Sequence, residues 1–143
     1  MPQTYTLLIV EDNPDDVELT LLAFEQTGLE DNIVIARDGV EAIDYLFPQN
    51  KSQSLPDLIL LDLQLPRING LEVLRQIRAN ERTRLLPIVI LTTSNEENDR
   101  LQSYGLGCNS YIQKPVDFER FLNVIQQMGL YWLQINSPPP IVQ

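Results

Sequence analysis

Chemically active side chains recur directly after the apolar runs of this sequence. The run "LLIV" is followed by Glu11 and Asp12, and the run "LILL" is followed by Asp62. Two later runs lead into Thr92 and Lys114. Clustered carboxylates suit a hard, oxygen-seeking cation, and a hydroxyl and an ammonium group can bind phosphoryl oxygens. An aspartate can itself be the nucleophile that takes up a phosphoryl group.

The acids after the first run are unusually dense: within six residues stand Glu11, Asp12, Asp15 and Asp16. Like charges this close repel one another and raise each other's pKa unless something offsets them. A divalent cation such as Mg²⁺ (or Mn²⁺) would offset the repulsion. The alternative is a set of acids favoured by the dipole of a following helix, with Lys114 as a structural counter-ion. That alternative suits Asp15 and Asp16, but it does not explain Asp62, which comes from another part of the chain.

The composition excludes several other kinds of chemistry. The chain has 143 residues, 43% of them apolar, which fits one globular domain. Histidine is absent, so Ser/His and Cys/His catalytic pairs and imidazole zinc sites are excluded. The single cysteine, Cys108, is expected to be a small buried residue. Because one cysteine cannot form an internal disulfide, we expect a cytoplasmic protein. A net charge of −10, with no Lys or Arg before Arg37 and no run long enough to cross a bilayer, argues against nucleic-acid and membrane partners.

Short apolar runs alternate with stretches of helical spacing. We expect strands at 5–10, 32–36, 57–62, 87–92 and 109–113, and helices at 14–27, 38–47, 69–80, 95–105 and from 117 onward. The polar stretch 48–56 is expected to be a loop. Asn13, Asp38 and Asp117 are expected to begin helices, and Gly28 to end one. The expected buried faces are Val17, Leu21 and Phe24 in the first helix and Phe118, Phe121, Leu122 and Ile125 in the last.

Five strands alternating with five helices indicate an α/β fold in which both faces of a parallel sheet are covered. The common doubly wound order for this count is the flavodoxin-like order 2-1-3-4-5. In that order Asp12 and Asp62 end neighbouring strands, roughly 5 Å apart. Thr92 lies one strand further and Lys114 one strand beyond that. The order therefore predicts one functional edge, at the carboxyl ends of the strands.

Four segments resemble the signature segments of response-regulator receiver domains from two-component signalling: "LIVEDNPDD", "LILLDLQLPRINGLEVL", "PIVILTT" and "SYIQKP". Their order and spacing match from about residue 5 to residue 127. The resemblance implies that Asp62 accepts a phosphoryl group from the phosphohistidine of a sensor histidine kinase. It also implies a Mg²⁺ (or Mn²⁺) site formed by Glu11, Asp12, Asp62 and the main-chain oxygen of Gln64.

The same resemblance implies a conformational switch. Phosphorylation would draw Thr92 toward the new oxygens, and Tyr111 would rotate into the space that Thr92 leaves. That movement would change the face formed by the fourth helix, the fifth strand and the fifth helix. Lys114 would pair with the phosphoryl group, and the bond from Lys114 to Pro115 would be cis.

A few positions depart from the family pattern or are variable in it. Glu11 stands where many receivers have a second Asp, and Thr93 is bulkier than the small residue that is common after the switch Thr. Gln64 and Ser94 occupy the two positions that modulate dephosphorylation in the family. We therefore expect the lifetime of the phosphoryl group to depend on Gln64 and Ser94.

Residues 1–129 are expected to form the receiver domain, and residues 130–143 to extend the last helix into a Pro-rich tail. This organisation predicts a single-domain regulator whose output is a contact with a downstream protein. The segment "DGVEAIDYL" and the late "YWL" resemble regulators paired with cyanobacterial phytochrome kinases. That resemblance implies a homodimer, for which Tyr131 and Trp132 are candidate contacts. The alternative is that these side chains pack on their own domain.

Three other functions fit parts of the pattern. A haloacid-dehalogenase-like phosphatase also uses an aspartyl nucleophile and Mg²⁺, but it requires a second acid at position 64, where this chain has Gln64. A flavodoxin-like nucleotide binder requires a Gly-rich phosphate loop after the first strand, where this chain has acids. A degenerate receiver that serves only as a binding module would not need the complete set of acids, hydroxyl and lysine.

Overall fold

A computed structural model describes residues 4–28, 31–48 and 54–140. Its strands are β1 (Tyr5–Val10), β2 (Asp31–Ala36), β3 (Leu58–Leu61), β4 (Ile88–Thr92) and β5 (Ser110–Gln113). Its α-helices are α1 (Pro14–Thr27), α2 (Gly39–Leu46), α3 (Gly70–Ala79), α4 (Glu97–Gly105) and α5 (Phe118–Leu130), and a π-helical segment, Tyr131–Ile135, follows α5. The expected elements are confirmed to within two residues at each end. Residues 49–53 of the expected loop lie outside the described residues.

The five strands form one parallel sheet in the order β2-β1-β3-β4-β5, as the sequence predicts. Val10 is level with Ala36 on one side and with Leu61 on the other. Leu61 is in turn level with Ile90, and Ile90 with Tyr111. The carboxyl ends of β1, β3 and β4 therefore lie side by side, and the residues that follow them share one edge.

Alternate strand residues face two separate apolar layers. On one side Leu8, Val10, Ile59 and Leu61 pack with α2 and α3, whose buried residues are Ala42, Leu46, Val73, Leu74 and Ile77. On the other side Leu7, Ile9, Leu58 and Leu60 pack with α1 and α5, whose buried residues are Ala23, Phe24, Phe121, Ile125 and Met128. Because both faces are covered, the polar edge is the part of the sheet that remains for chemistry.

Side-chain caps fix the start of α1, α2 and α5, whereas Glu96 at the start of α4 makes no side-chain cap. Asn13 Oδ1 accepts hydrogen bonds from the amides of the first turn of α1, and Pro14 occupies the first helical position. Asp38 and Asp117 cap α2 and α5 in the same way, as expected. Gly28 ends α1 with a φ of 74°, a conformation that favours glycine. The turns from β1, β2 and β5 into the helices that follow them are therefore set locally.

Two expected core positions are wrong. Leu21 is exposed, whereas Thr20 is buried and donates its hydroxyl to the carbonyl of Asp16 at 2.7 Å. Successive helical residues are turned by about 100°, so the stripe that includes Val17 and Thr20 leaves Leu21 outside it. Phe118 is also exposed, and the buried stripe of α5 begins one turn later.

The segment after α5 divides between core and surface. Leu133 is buried, and Trp132 packs partly against the apolar layer formed with α1 and α5. Tyr131 is 47% exposed, and its ring meets the ring of Trp132 edge-on at 5.2 Å. Residues 141–143 of the expected tail lie outside the described residues. Packing on the domain itself thus accounts for Trp132 better than for Tyr131.

Two further expectations can be compared with the described residues. Cys108 is buried as expected, and burial raises the pKa of its thiol to about 11, against the lowering effect of Arg78. Over the residues described, none of the helices has the length and apolar character needed to cross a bilayer.

Candidate functional site

Main-chain hydrogen bonds carry the sheet one residue past its strands and place the site residues on its edge. These bonds run from Glu11 N to Ala36 O (2.9 Å), from Asp62 N to Val10 O (3.1 Å) and from Lys114 N to Thr92 O (2.7 Å). Each functional side chain therefore starts from a fixed backbone position rather than from a free loop. This fixed placement is what lets side chains far apart in sequence meet.

Three acids meet at this edge. Carboxylate oxygens of Glu11, Asp12 and Asp62 all lie within 4.8 Å of one another. Glu11 and Asp62 are buried, whereas Asp12 is exposed and open to solvent. Oxygen ligands of this kind, with room for water on one side, are what Mg²⁺ and Mn²⁺ prefer in proteins. The residues present therefore fit a divalent cation.

Lys114 reaches into the same cluster from the far strand. Its Nζ donates to Asp16 Oδ2 at 2.8 Å and to Asp62 Oδ2 at 3.2 Å, and it makes a short contact with Glu11 Oε1. Only 5% of the lysine side chain is exposed. Burial alone lowers the pKa of Lys114, but the hydrogen bonds to Asp16 and Glu11 and the charge of Asp62 outweigh burial and raise it. The ammonium group therefore keeps its proton.

The acids outnumber the basic group that they contact. Burial raises the pKa of Glu11 to about 7, the hydrogen bond from Lys114 opposes this rise, and the charge of Asp62 adds to it. One ammonium group thus serves three carboxylates, and Asp12 adds a fourth acid nearby. Buried like charges are costly unless they are compensated, so the cluster favours the binding of another cation.

Asp16 is the site residue that the sequence did not predict. We expected it, like Asp15, to be an acid of the first helical turn, but its carboxylate contacts Lys114 whereas Asp15 is exposed. A signal was present, because Asp16 lies four residues before Thr20 and residues at that spacing share a helix face. Thr20 is buried against the sheet, so Asp16 also points toward the site rather than away from it.

Gln64 and Thr93 connect across the mouth of the site. The hydroxyl of Thr93 donates to Gln64 Oε1 at 2.9 Å, and the main-chain N–H of Gln64 donates to Asp62 Oδ1 at 3.2 Å. Thr93 is exposed, whereas Thr92 next to it is fully buried. The backbone of Gln64 is therefore tied to the carboxylate of Asp62, and its side chain is tied to Thr93.

Ser94 joins the site to the neighbouring helix and strand. Its amide donates to Thr92 Oγ1 at 3.4 Å, and its hydroxyl donates to Asp99 on α4. The Tyr111 hydroxyl donates to the Ser94 carbonyl at 3.0 Å. Burial raises the pKa of Tyr111, so this hydroxyl keeps its proton. A shift of Thr92 would therefore change its contact with Ser94, and through Ser94 the contacts with α4 and β5.

The expected cis bond is wrong for this chain. The described residues contain no cis peptide bond, so Lys114 and Pro115 are joined in the trans form. Trans is the more stable form of a bond before proline by about 0.5–1 kcal/mol. Lys114 nevertheless reaches Asp62 at 3.2 Å with this backbone.

The sheet order and the acidic edge, with a lysine opposite Asp62, define the class of protein. Residues 7–126 match the response regulator receiver domain family, and the chain belongs to that family. The match covers the sheet from β1 to β5 and most of α5. It therefore includes every residue of the acidic edge described above.

Individual relatives place the chain within the family. The probable methanogenesis regulatory protein FilR2 of Methanothrix harundinacea (strain 6Ac) is 41% identical over 136 residues, 94% of this chain and 88% of the relative. Response regulator Rcp1 of Synechocystis sp. (strain ATCC 27184 / PCC 6803 / Kazusa) is 34% identical over 135 residues, 93% of this chain and 92% of the relative.

Two solved structures of response regulators share the fold closely. The phosphorylated cyanobacterial phytochrome response regulator RcpA has a TM-score of 0.92 and 34% identity, covering 96% of this chain and 100% of that one. The Mn²⁺-bound form of response regulator Rcp1 has a TM-score of 0.89 and 33% identity, covering 95% of this chain and 99% of that one. The chain is therefore a receiver of the type represented by Rcp1 and RcpA.

Proposed function

We propose that this chain is a phosphoacceptor of a two-component phosphorelay, taking a phosphoryl group on Asp62 from the phosphohistidine of a sensor histidine kinase. The observation that carries the proposal is the contact of Lys114 with Asp62 at 3.2 Å, beside the two acids that follow β1. A phosphatase of the haloacid-dehalogenase type would need an acid at position 64, and Gln64 is not one. On this proposal, the protein catalyses only its own phosphorylation and the slow hydrolysis of its own phosphoryl group.

The proposed transfer balances with the side chains at the edge. An oxygen of Asp62 forms a bond to phosphorus, the bond from phosphorus to the kinase histidine nitrogen breaks, and that nitrogen takes up a proton. Lys114 and Thr92 would bind phosphoryl oxygens. Glu11, Asp12, Asp62 and the main-chain oxygen of Gln64 would hold Mg²⁺ (or Mn²⁺). The bound ion would neutralise negative charge on the transferring group.

The partner kinase is proposed to be of the phytochrome type. The support is the likeness to RcpA and Rcp1, the former described as a cyanobacterial phytochrome response regulator. Such a pairing places the chain in the cytoplasm, with a downstream protein as its output. The acidic net charge of −10 agrees with a protein partner rather than a nucleic acid.

The proposed switch uses the contacts around Ser94. When Thr92 moves toward a phosphoryl oxygen, its contact with the Ser94 amide changes. Tyr111 donates to the carbonyl of the same residue and can then turn inward. The face of α4, β5 and α5 would change as a result.

The proposal is tested by incubating the protein with Mg²⁺ and a small acyl phosphate and measuring the intact mass. We expect one added phosphoryl group in the wild type and in Asp44→Ala, an exposed acid of α2, and none in Asp62→Ala. Turnover of many donor equivalents would instead indicate a phosphatase. No adduct from the small donor or from a kinase would indicate a binding module, and either result would overturn the proposal.

Gln64→Asn and Ser94→Glu should each speed the loss of the phosphoryl group. The shorter asparagine side chain cannot maintain the contact with Thr93, and a carboxylate at position 94 repels Asp99. A change worth one hydrogen bond corresponds to about a twofold to tenfold faster decay. The decay can be followed by phosphate release after removal of the donor, with Asp44→Ala as control. Unchanged decay in both variants would contradict the assignment.

The chain is further proposed to form a homodimer through the face of α4, β5 and α5, with Tyr131 and Trp132 as contacts. Six of the eight large hydrophobic side chains exposed among the described residues lie in or beside these elements: Leu101, Tyr104, Val116, Phe118, Tyr131 and Ile135. Tyr131→Ser should weaken the dimer about tenfold in sedimentation, the effect of an interface aromatic, whereas Leu85→Ser should not. A monomeric wild type at tens of micromolar, with and without phosphorylation, would contradict the dimer.

A further inference from the structure

Asp16 contacts the site without belonging to the set of acids that fits a divalent ion. We propose that Asp16 is a positioning residue for the proposed phosphotransfer: it holds the Lys114 ammonium and thereby leaves Glu11 and Asp62 available to the ion. This inference rests on the proposed function. Lys114 Nζ lies 2.8 Å from Asp16 Oδ2, which is nearer than its 3.2 Å from Asp62 Oδ2.

The hydrogen-bonding capacity of the ammonium group is fully used. A lysine has three N–H donors, and Lys114 Nζ contacts three carboxylates, those of Glu11, Asp16 and Asp62. Two of these three acids are also in the group that fits a divalent ion. An ion and the ammonium therefore compete for Glu11 and Asp62, and Asp16 is the acceptor for which they do not compete.

Removing the Asp16 charge should shift this competition toward the lysine. With a neutral side chain at position 16, the ammonium is held there less strongly and turns toward Glu11 or Asp62, so that those oxygens become less available to an ion. The loss of one negative charge from the site also weakens its attraction for a cation. Both effects lower the affinity for Mg²⁺, so the sign of the prediction does not depend on which is larger.

The backbone of Asp16 is well fixed for this task. Its amide donates to Asn13 Oδ1 at 3.4 Å, and its carbonyl accepts from the Thr20 hydroxyl at 2.7 Å. The side chain is 21% exposed and contacts a lysine that is 5% exposed. Asp15, one residue earlier on the same turn, is exposed and makes no described contact with Lys114. Asp15 therefore offers a matched control.

The test compares Asp16→Asn with Asp15→Asn, because both remove one charge from the same helical turn. We expect Asp16→Asn to weaken Mg²⁺ binding by about fivefold or more in calorimetry, the size expected for one charge in a partly buried site. Asp15→Asn should change it less than about twofold, as expected for a screened surface charge. Asp16→Glu, which keeps the carboxylate, should recover most of the affinity.

A kinetic measurement separates positioning from general loss of structure. The rate of labelling by a small acyl phosphate is measured against Mg²⁺ concentration, with thermal unfolding as a check of folding. Asp16→Asn should require about fivefold more Mg²⁺ for half-maximal labelling, matching the loss of binding. Its maximal rate should fall less, because an ion bound by Glu11 at saturating Mg²⁺ would weaken the hold of Lys114 on that carboxylate.

The outcomes distinguish this inference from the proposed function. If the wild type is labelled on Asp62 and the two Asn variants bind Mg²⁺ equally, the positioning role of Asp16 is overturned alone. If the wild type is never labelled but only Asp16→Asn loses Mg²⁺ affinity, the phosphoacceptor function is overturned, and the control of Lys114 by Asp16 still holds.

Discussion

Lys114→Met is expected to lower the free energy of unfolding of the metal-free protein by about 3 kcal/mol, because it leaves buried acids without their cation. Methionine has a similar length and fills the apolar part of the space, so the loss reflects the charge rather than a cavity. The three carboxylates that Lys114 contacts then repel one another with no ammonium between them. Urea unfolding in the presence of a chelator measures the effect.

Mg²⁺ should restore much of the stability that Lys114→Met loses. A ligand that binds only the folded state stabilises it by an amount that grows with the logarithm of the ratio of its concentration to its dissociation constant. In this variant, an ion bound by the acids would no longer compete with an ammonium group for Glu11. Asp62→Asn is the matched control, because it removes one negative charge from the cluster and keeps the lysine. The free energy of unfolding of this variant without metal should be unchanged or higher. If Lys114→Met loses the same free energy of unfolding with and without Mg²⁺, the lysine does not stabilise the fold by balancing these carboxylates.

The placement of the acidic edge is predictable from the sequence because it depends only on the order and direction of the strands. Parallel strands end at one edge, so the residue after each apolar run reaches that edge whatever the details of packing. Asp62 and Lys114 are 52 residues apart, yet the strand order alone brings them to the same region. The residue types then limit the chemistry, since carboxylates and one ammonium group suit a cation and a phosphoryl group.

Side-chain direction is the part that the sequence did not predict. Asp15 and Asp16 have the same charge and adjoin each other, and only the phase of α1 decides which one meets Lys114. That phase follows from the cap at Asn13, but the outcome also depends on how far the lysine reaches across the sheet. The expectation that Leu21 is buried is wrong for the same reason: each helical residue is turned by about 100° from the one before, so a residue just beside the buried stripe faces solvent.

The sequence pattern also does not predict the contacts between neighbouring loops. The bond from Thr93 to Gln64 joins the loops after β4 and β3, and its existence depends on register and rotamers rather than on residue type. The bond of Ser94 to Asp99 is local but specific to this loop. The trans bond before Pro115 differs from what the family resemblance implies, which shows that a resemblance does not fix one backbone torsion.

Gly70 packs against the backbone of Asp62 and leaves no room for a side chain. A Cβ added there would lie 2.2 Å from the carbonyl oxygen of Asp62 and 2.6 Å from the Cα of Leu63. These atoms belong to the main chain, so they cannot turn aside as a flexible side chain would. Gly70 also donates its amide to the Leu63 carbonyl at 3.0 Å, which ties the start of α3 to the residue after Asp62.

Gly70→Ala should therefore lower the free energy of unfolding by about 3 kcal/mol, the upper part of the range for forced overpacking. It should also slow the labelling of Asp62 by an acyl phosphate, because the carbonyl that must move belongs to Asp62 itself. Gly105→Ala is the control, since a Cβ at Gly105 in α4 meets nothing within 4 Å and alanine favours helix. If both variants unfold at the same urea concentration and are labelled at the same rate, the contact between α3 and Asp62 does not hold the site in place.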